Sequence, residues 1–334
     1  MTVIGRYYDN KSPPLRVSFF KIEAVQTGMS MTPSWRWQHI GVFLVLLVIF
    51  TAIGESLAII SGDVFGAKGY YVQLIMWSPA AAATLTAFIA KTPLKVFGWN
   101  WGAWRWQLLA WLSPLVYVGI AYGLIWVVGW GNVPNPVFVA DAAKSVGLHI
   151  SAAGSAILLI FFSATLGMLD LAGALGEEIG WRGFLVPALF QLTHRNFTAT
   201  VLINAAIWAC WHAPIIFFSS YNNPGVPRWY SFGCFVILNI GGAAIVDWFR
   251  LRSGSLWTGV LLHNSHNIFV QAIFTPLTID TGKTQYFIDE FGIVLPPIML
   301  AFGIYFWMRR KELTSFPDSD IRADEEAHAR AQLL

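Results

Sequence analysis

The chain has 334 residues, of which 56% are hydrophobic and only 12% charged, about half the charged share of an ordinary soluble domain. With a mean hydropathy of +0.57, this excludes a soluble globular fold and points to a polytopic membrane protein. The net charge of +3 is small and dispersed, which argues against nucleic acid as a partner.

Residues 1–38 carry scattered charges and prolines with no apolar core, so they read as a cytoplasmic tail rather than a cleaved signal. Apolar runs that meet the requirement of about 20 residues for a helix to cross a bilayer follow at 40–61, 70–90, 107–130, 155–192, 198–219, 231–249, 255–275 and 290–308. The expected fold is therefore all-α, a bundle of about eight transmembrane helices. Three of them fill residues 39–150, a polar-marked core fills 151–275, and the last span lies in 276–310. The fourth run is too long for one upright span and contains Gly173, Gly176, Gly180 and Pro187, so it should tilt, bend or divide. Residues 311–334 form an acidic, solvated cytoplasmic tail.

Orientation follows from the basic residues. With the N-terminus inside, only Lys68, Lys144, Arg228 and Lys283 of the 21 lysines and arginines fall outside, and positive residues are retained on the cytoplasmic side. Both termini are expected in the cytoplasm, with the protein in the plasma membrane if the cell is bacterial or archaeal. Cys210 and Cys234 sit in apolar runs and make neither a metal pattern nor a disulfide framework.

Against this apolar background, Gly176-Glu177-Glu178-Ile179-Gly180-Trp181-Arg182 places three charges within six residues. Each costs roughly 2.5–3.5 kcal/mol at the centre of a membrane helix, so their presence asks for a function. Glu178 and Arg182 are four apart on one helical face and are expected to pair. Glu177, rotated by roughly 100°, is left as a carboxylate free to act on a substrate or a water. Two further spans carry polar groups at comparable depth: His212 in Trp208-Ala209-Cys210-Trp211-His212, and His263-Asn264-Ser265-His266-Asn267. Convergence of these groups in one water-reachable cavity open to the cytoplasm is the natural expectation. Taken singly, each has a structural reading, since histidine and asparagine commonly bridge membrane helices. Glu55, Asp170, Asn204 and Asn239 are read as structural, and Asp247 is expected to pair with Arg250 or Arg252. His266 and Asn264 are read as either support for the site or cavity wall.

The ordered set Glu-Glu-x-x-x-Arg, an aromatic residue four before a histidine, and His-x-x-x-Asn resembles the CPBP family of intramembrane proteases over about residues 155–270. That family includes type II CAAX prenyl endopeptidases and bacteriocin-processing or self-immunity proteins. One departure is Trp208, where phenylalanine is usual. The resemblance implies a catalytic core at 151–275, an eight-helix fold and peptide-bond hydrolysis within the membrane. It carries over Glu177, His212, His263 and Asn267 as the site, supported by Glu178, Arg182, Trp208 and His266. Glu177, assisted by His212, would activate water, and His263 and Asn267 would donate to the developing oxyanion. The alternative stays open that His212, His263 and Glu177 bind a catalytic zinc; direct activation of water is preferred. The implied partners are membrane lipid and a lipidated or membrane-embedded peptide substrate. The competing class is a non-catalytic immunity or scaffold protein, or a transporter, using the same cavity. A transporter would show matching broken spans in both halves, whereas here the clustered polar residues lie in one half.

Overall fold

The computed structural model describes residues 35–62, 64, 69–146, 151–166 and 171–313. The expected tail before residue 35, the acidic tail from residue 314, Lys68 and Asp170 lie outside the described residues. The protein is all-helical among them, with one isolated bridge between Asn132 and Ile279.

Among the described residues five helices are long and apolar enough to cross a membrane: α1 (Trp37–Ser61), α2 (Tyr70–Ile89), α3 (Trp104–Val128), α8 (Phe197–Phe218) and α9 (Arg228–Ser253). Between α3 and α8 the chain forms α4 (Pro136–Val146), α5 (Ala152–Leu166), α6 (Leu171–Glu178) and α7 (Val186–Leu192). Within the long fourth run, α5 and α6 lie on either side of residues 167–170, which are outside the described residues, and α6 passes through a π turn over Ile179–Leu185 into α7. After α9 come α10 (Leu256–Asn267), a second π turn over Ile268–Phe274, the short α11 (Thr275–Leu277) and α12 (Leu295–Met308). The amphipathic α4 has no counterpart in the apolar runs, because its 11 residues are too few and too mixed to register as a span.

Packing divides the apolar interior in two. One cluster, built on Tyr117, Tyr122, Trp248 and Phe249, joins α3, α9 and α12; the other, built on Phe43, Trp181, Phe184 and Trp211, joins α1, α2, the α6–α7 stretch and α8. Large apolar side chains on α1, among them Val45, Val48, Ile49, Ile53 and Ile60, point outward. That is the pattern of a helix whose outer face meets lipid rather than water.

Candidate active site

The stretch bearing Glu177 and Glu178 is held against α2 by small residues. A Cβ added at Gly180 would lie 2.8 Å from the Pro79 carbonyl oxygen, so only glycine permits this approach. Directly after Glu178 the helix widens into the π turn, a local unwinding often found at functional sites. Both carboxylates are thus fixed where the helix changes pitch.

Glu178 and Arg182 pair as their spacing predicts, with Arg182 Nη1 donating to Glu178 Oε1 at 2.8 Å and both side chains fully buried. The pair belongs to a larger network. His263 Nδ1 lies 2.9 Å from the same Glu178 oxygen and, since a carboxylate accepts, donates to it. Arg182 Nε donates to Asp247 Oδ1 at 3.1 Å, and Asn204 Nδ2 reaches both Asp247 oxygens at 3.1 Å. The guanidinium also lies over the Trp208 ring, 4.4 Å from its centroid.

The expected pairing of Asp247 with Arg250 or Arg252 is therefore corrected. Arg250 turns away and donates to the carbonyls of Arg182 and Phe97, at 2.7 and 3.2 Å, while Arg252 lies 3.8 Å from Glu312. The physical reason is burial. Asp247 and Arg182 are both fully buried, and a buried charge needs a partner in the same dry layer more than one nearby in sequence.

Glu177 lies beside this network without joining it. Its carboxylate accepts one hydrogen bond, from Trp181 Nε1 at 3.2 Å. His212 donates Nδ1–H to the Trp208 carbonyl at 3.1 Å, which leaves Nε2 as the free ring nitrogen. His263, with Nδ1 committed to Glu178, likewise has Nε2 left over. The centroid of the Trp208 ring lies 6.2 Å from that of His212 and 5.6 Å from that of His263. The side chain of Asn267, one helical turn beyond His263, has no hydrogen bond to any described residue.

Glu177, Glu178, His212, His263, Asn267 and Trp208 line one cavity of about 140 Å³, joined by His266 and by Asn239 of α9. Arg182 stands behind the wall, holding Glu178 and Asp247. Glu177, His212 and His263, the ligand set of the zinc alternative, share the wall. Among the described residues no three His, Cys, Asp or Glu side chains are grouped to hold a metal ion.

Several lining residues carry no signal in the sequence motifs. Tyr221, from the loop after α8, stacks near His212 at 6.2 Å and 19°. Gln271 stands on the second π turn, and Glu290 comes from the segment between α11 and α12. Glu290 Oε1 accepts from His266 Nε2 at 3.1 Å and from Gln271 Nε2 at 3.3 Å, while His266 Nδ1 meets the Tyr117 hydroxyl at 2.8 Å. No sequence pattern marked Glu290 or Gln271.

Residues 153–269 match the family described as Rce1-like, type II CAAX prenyl endopeptidase. The matched segment contains Glu177, His212, His263 and Asn267, and supports an intramembrane protease at the level of the family. No curated protein matches the chain.

Proposed function

Taking the Rce1-like domain at residues 153–269 as premise, we propose that the chain is an intramembrane endopeptidase that hydrolyses a peptide bond in a membrane-tethered or prenylated, CAAX-type substrate. The observation that carries this reading is the meeting of Glu177, His212, His263 and Asn267 on one cavity wall, from three separate helical stretches. Glu177 is the base. Alone among the two adjacent carboxylates it is free of the arginine, and the single hydrogen bond from Trp181 fixes its rotamer while leaving acceptor capacity for a water.

His212 positions and helps deprotonate that water. Its Nδ1–H is held by the Trp208 carbonyl, so Nε2 is the acceptor presented to the cavity. His263, oriented by Glu178, and the unengaged amide of Asn267 donate to the oxyanion as the carbonyl is attacked; His263 does so as the imidazolium, through Nε2–H. The proton taken by Glu177 passes to the leaving amine, which completes hydrolysis without a covalent intermediate. Arg182 and Asp247 act through Glu178, as the buried frame that keeps His263 in place.

The basic-residue distribution supports a cavity open to the cytoplasm with both termini on that side. The purified protein in detergent or nanodiscs should cleave a prenylated peptide, and Glu177→Gln should abolish turnover while leaving the bundle folded, since glutamine can still accept from Trp181. Retained turnover in Glu177→Gln, or in His263→Ala, would refute the assignment.

A further inference from the structure

We propose that Glu290 is a substrate-binding residue that selects peptides carrying a lysine or arginine side chain close to the scissile bond. The inference rests on the protease reading above for what enters the cavity, but concerns a residue outside the matched segment and a preference that the motifs do not specify.

The position of Glu290 is built. The segment leading to it is pinned from several sides. Asn223 Nδ2 donates to the carbonyls of Gln285 and Ile288 at 2.7 and 2.9 Å. Trp130 stacks on Phe287 at 4.4 Å and 5°. The Tyr122 hydroxyl accepts from the Asp289 amide at 3.1 Å. Phe291, the next residue, packs on Tyr221 and Phe235 at 5.3 and 5.7 Å, and those two rings flank His212. Glu290 is thus delivered to the cavity by the same aromatic group that walls His212.

Its carboxylate is held by one oxygen only. His266 and Gln271 both donate to Oε1, and Oε2 has no hydrogen bond to any described residue, although Glu290 is only 5% exposed and lines the cavity. A fixed carboxylate with one oxygen left to an otherwise largely apolar hollow is suited to a charge-assisted hydrogen bond from a cation. The lining includes no lysine or arginine among the described residues to compete for it. The wall instead carries the carboxylates of Glu177, Glu178 and Glu290, of which Glu178 is neutralised by Arg182, against one cation, the His263 imidazolium, so the balance stays negative. An ammonium or guanidinium entering with the peptide is favoured, and an acidic side chain at the same place is repelled.

The test uses the full chain in nanodiscs of phosphatidylcholine, whose zwitterionic surface does not itself enrich basic peptides. Fluorescein-labelled prenylated peptides differ only by Lys, Gln or Glu, walked through the three residues on either side of the bond to be cleaved. At one position the lysine peptide should bind about tenfold more tightly than its glutamine counterpart, with the glutamate peptide weakest. Glu290→Gln, whose amide oxygen can still accept from His266 and Gln271, should bring the Lys/Gln ratio to about one.

In the unmodified protein, carbodiimide coupling should link the peptide lysine to Glu290, with the link located by mass spectrometry. A wild-type protein that binds the three peptides equally or not at all, a ratio that survives Glu290→Gln, or coupling at another carboxylate would each overturn the proposal. Selective binding without any hydrolysis would instead sink the protease reading and leave the role of Glu290 standing.

Discussion

Gly259 offers a test of the catalytic frame that touches neither substrate nor reacting atom. An added Cβ there would lie 2.6 Å from Glu178 Oε2, whereas its other neighbours, Arg182 Cγ and Cβ, stand at 3.4 and 3.5 Å, ordinary contact distances. Gly259→Ala therefore pushes on one group. To regain a 3.4 Å contact the carboxylate must retreat by about 0.8 Å. The same carboxylate holds His263 Nδ1 at 2.9 Å and Arg182 Nη1 at 2.8 Å, so the imidazole must follow or lose its bond. Misplacement of a catalytic group by about 1 Å can cost on the order of 100-fold, and loss of a hydrogen bond to a charged group costs about 1.5–3 kcal/mol. The expected fall in kcat is about 10- to 100-fold. Helix propensity works the other way, favouring alanine over glycine by about 1 kcal/mol inside α10, so the thermal midpoint should fall little. The assay is peptide cleavage by the purified variant beside its unfolding curve, with Gly233→Ala as control, because a Cβ at Gly233 meets nothing within 4 Å. Full turnover in Gly259→Ala would refute the claim that Glu178 positions His263, as would a loss of turnover fully explained by unfolding.

Three further outcomes follow from the same geometry. Asp247→Ala strips Arg182 and Asn204 of a buried partner and should cost about 3–5 kcal/mol of stability, read as the shift of an unfolding curve, whereas Arg252→Ala, at a half-buried ion pair 3.8 Å long, should cost less, about 1 kcal/mol. Trp208→Phe keeps an aromatic face for Arg182 and an edge for His263, so turnover should change less than about threefold, while Trp208→Ala opens the wall and should destabilise by about 3–5 kcal/mol. Because Glu177, His212 and His263 are not grouped as metal ligands, turnover should survive prolonged dialysis against a chelator; loss of activity with recovery on added zinc would overturn direct activation of water by Glu177.

The parts of the site legible in the sequence were those written within one helix. Glu178 and Arg182, or His263 and Asn267, sit four apart, and helical geometry alone puts such pairs on one face. The fourth run was readable as too long for one upright span, but the π turn that follows Glu178 depends on how the stretch seats on α2 and left no pattern of its own. Asp247 was misassigned for the complementary reason. Its sequence neighbours Arg250 and Arg252 offered a plausible local partner, but the bundle brings Arg182 to it across 65 positions, a proximity that no periodicity encodes. Glu290 was illegible as a site residue because an acid at the border of an apolar run reads as solvated, and only tertiary anchoring by Tyr122, Trp130 and Asn223 turns its segment inward.

That anchoring bears on how such a site can vary. The groups assigned to bond cleavage lie within the matched residues 153–269, and their geometry depends on a buried network that tolerates little change: Arg182 Nη2 and Glu178 Oε2 already lack partners among the described residues, so a further loss would strand charge in a dry layer. Part of the remaining wall comes from outside that segment, with Val64, Val72, Ile75 and Met76 from the α1–α2 region and Glu290 and Met299 from beyond residue 269. Substituting these changes the shape and charge of the hollow without touching the Glu178–Arg182–Asp247 frame. The groups proposed for bond cleavage and the carboxylate proposed for peptide selection thus come from different stretches of the chain.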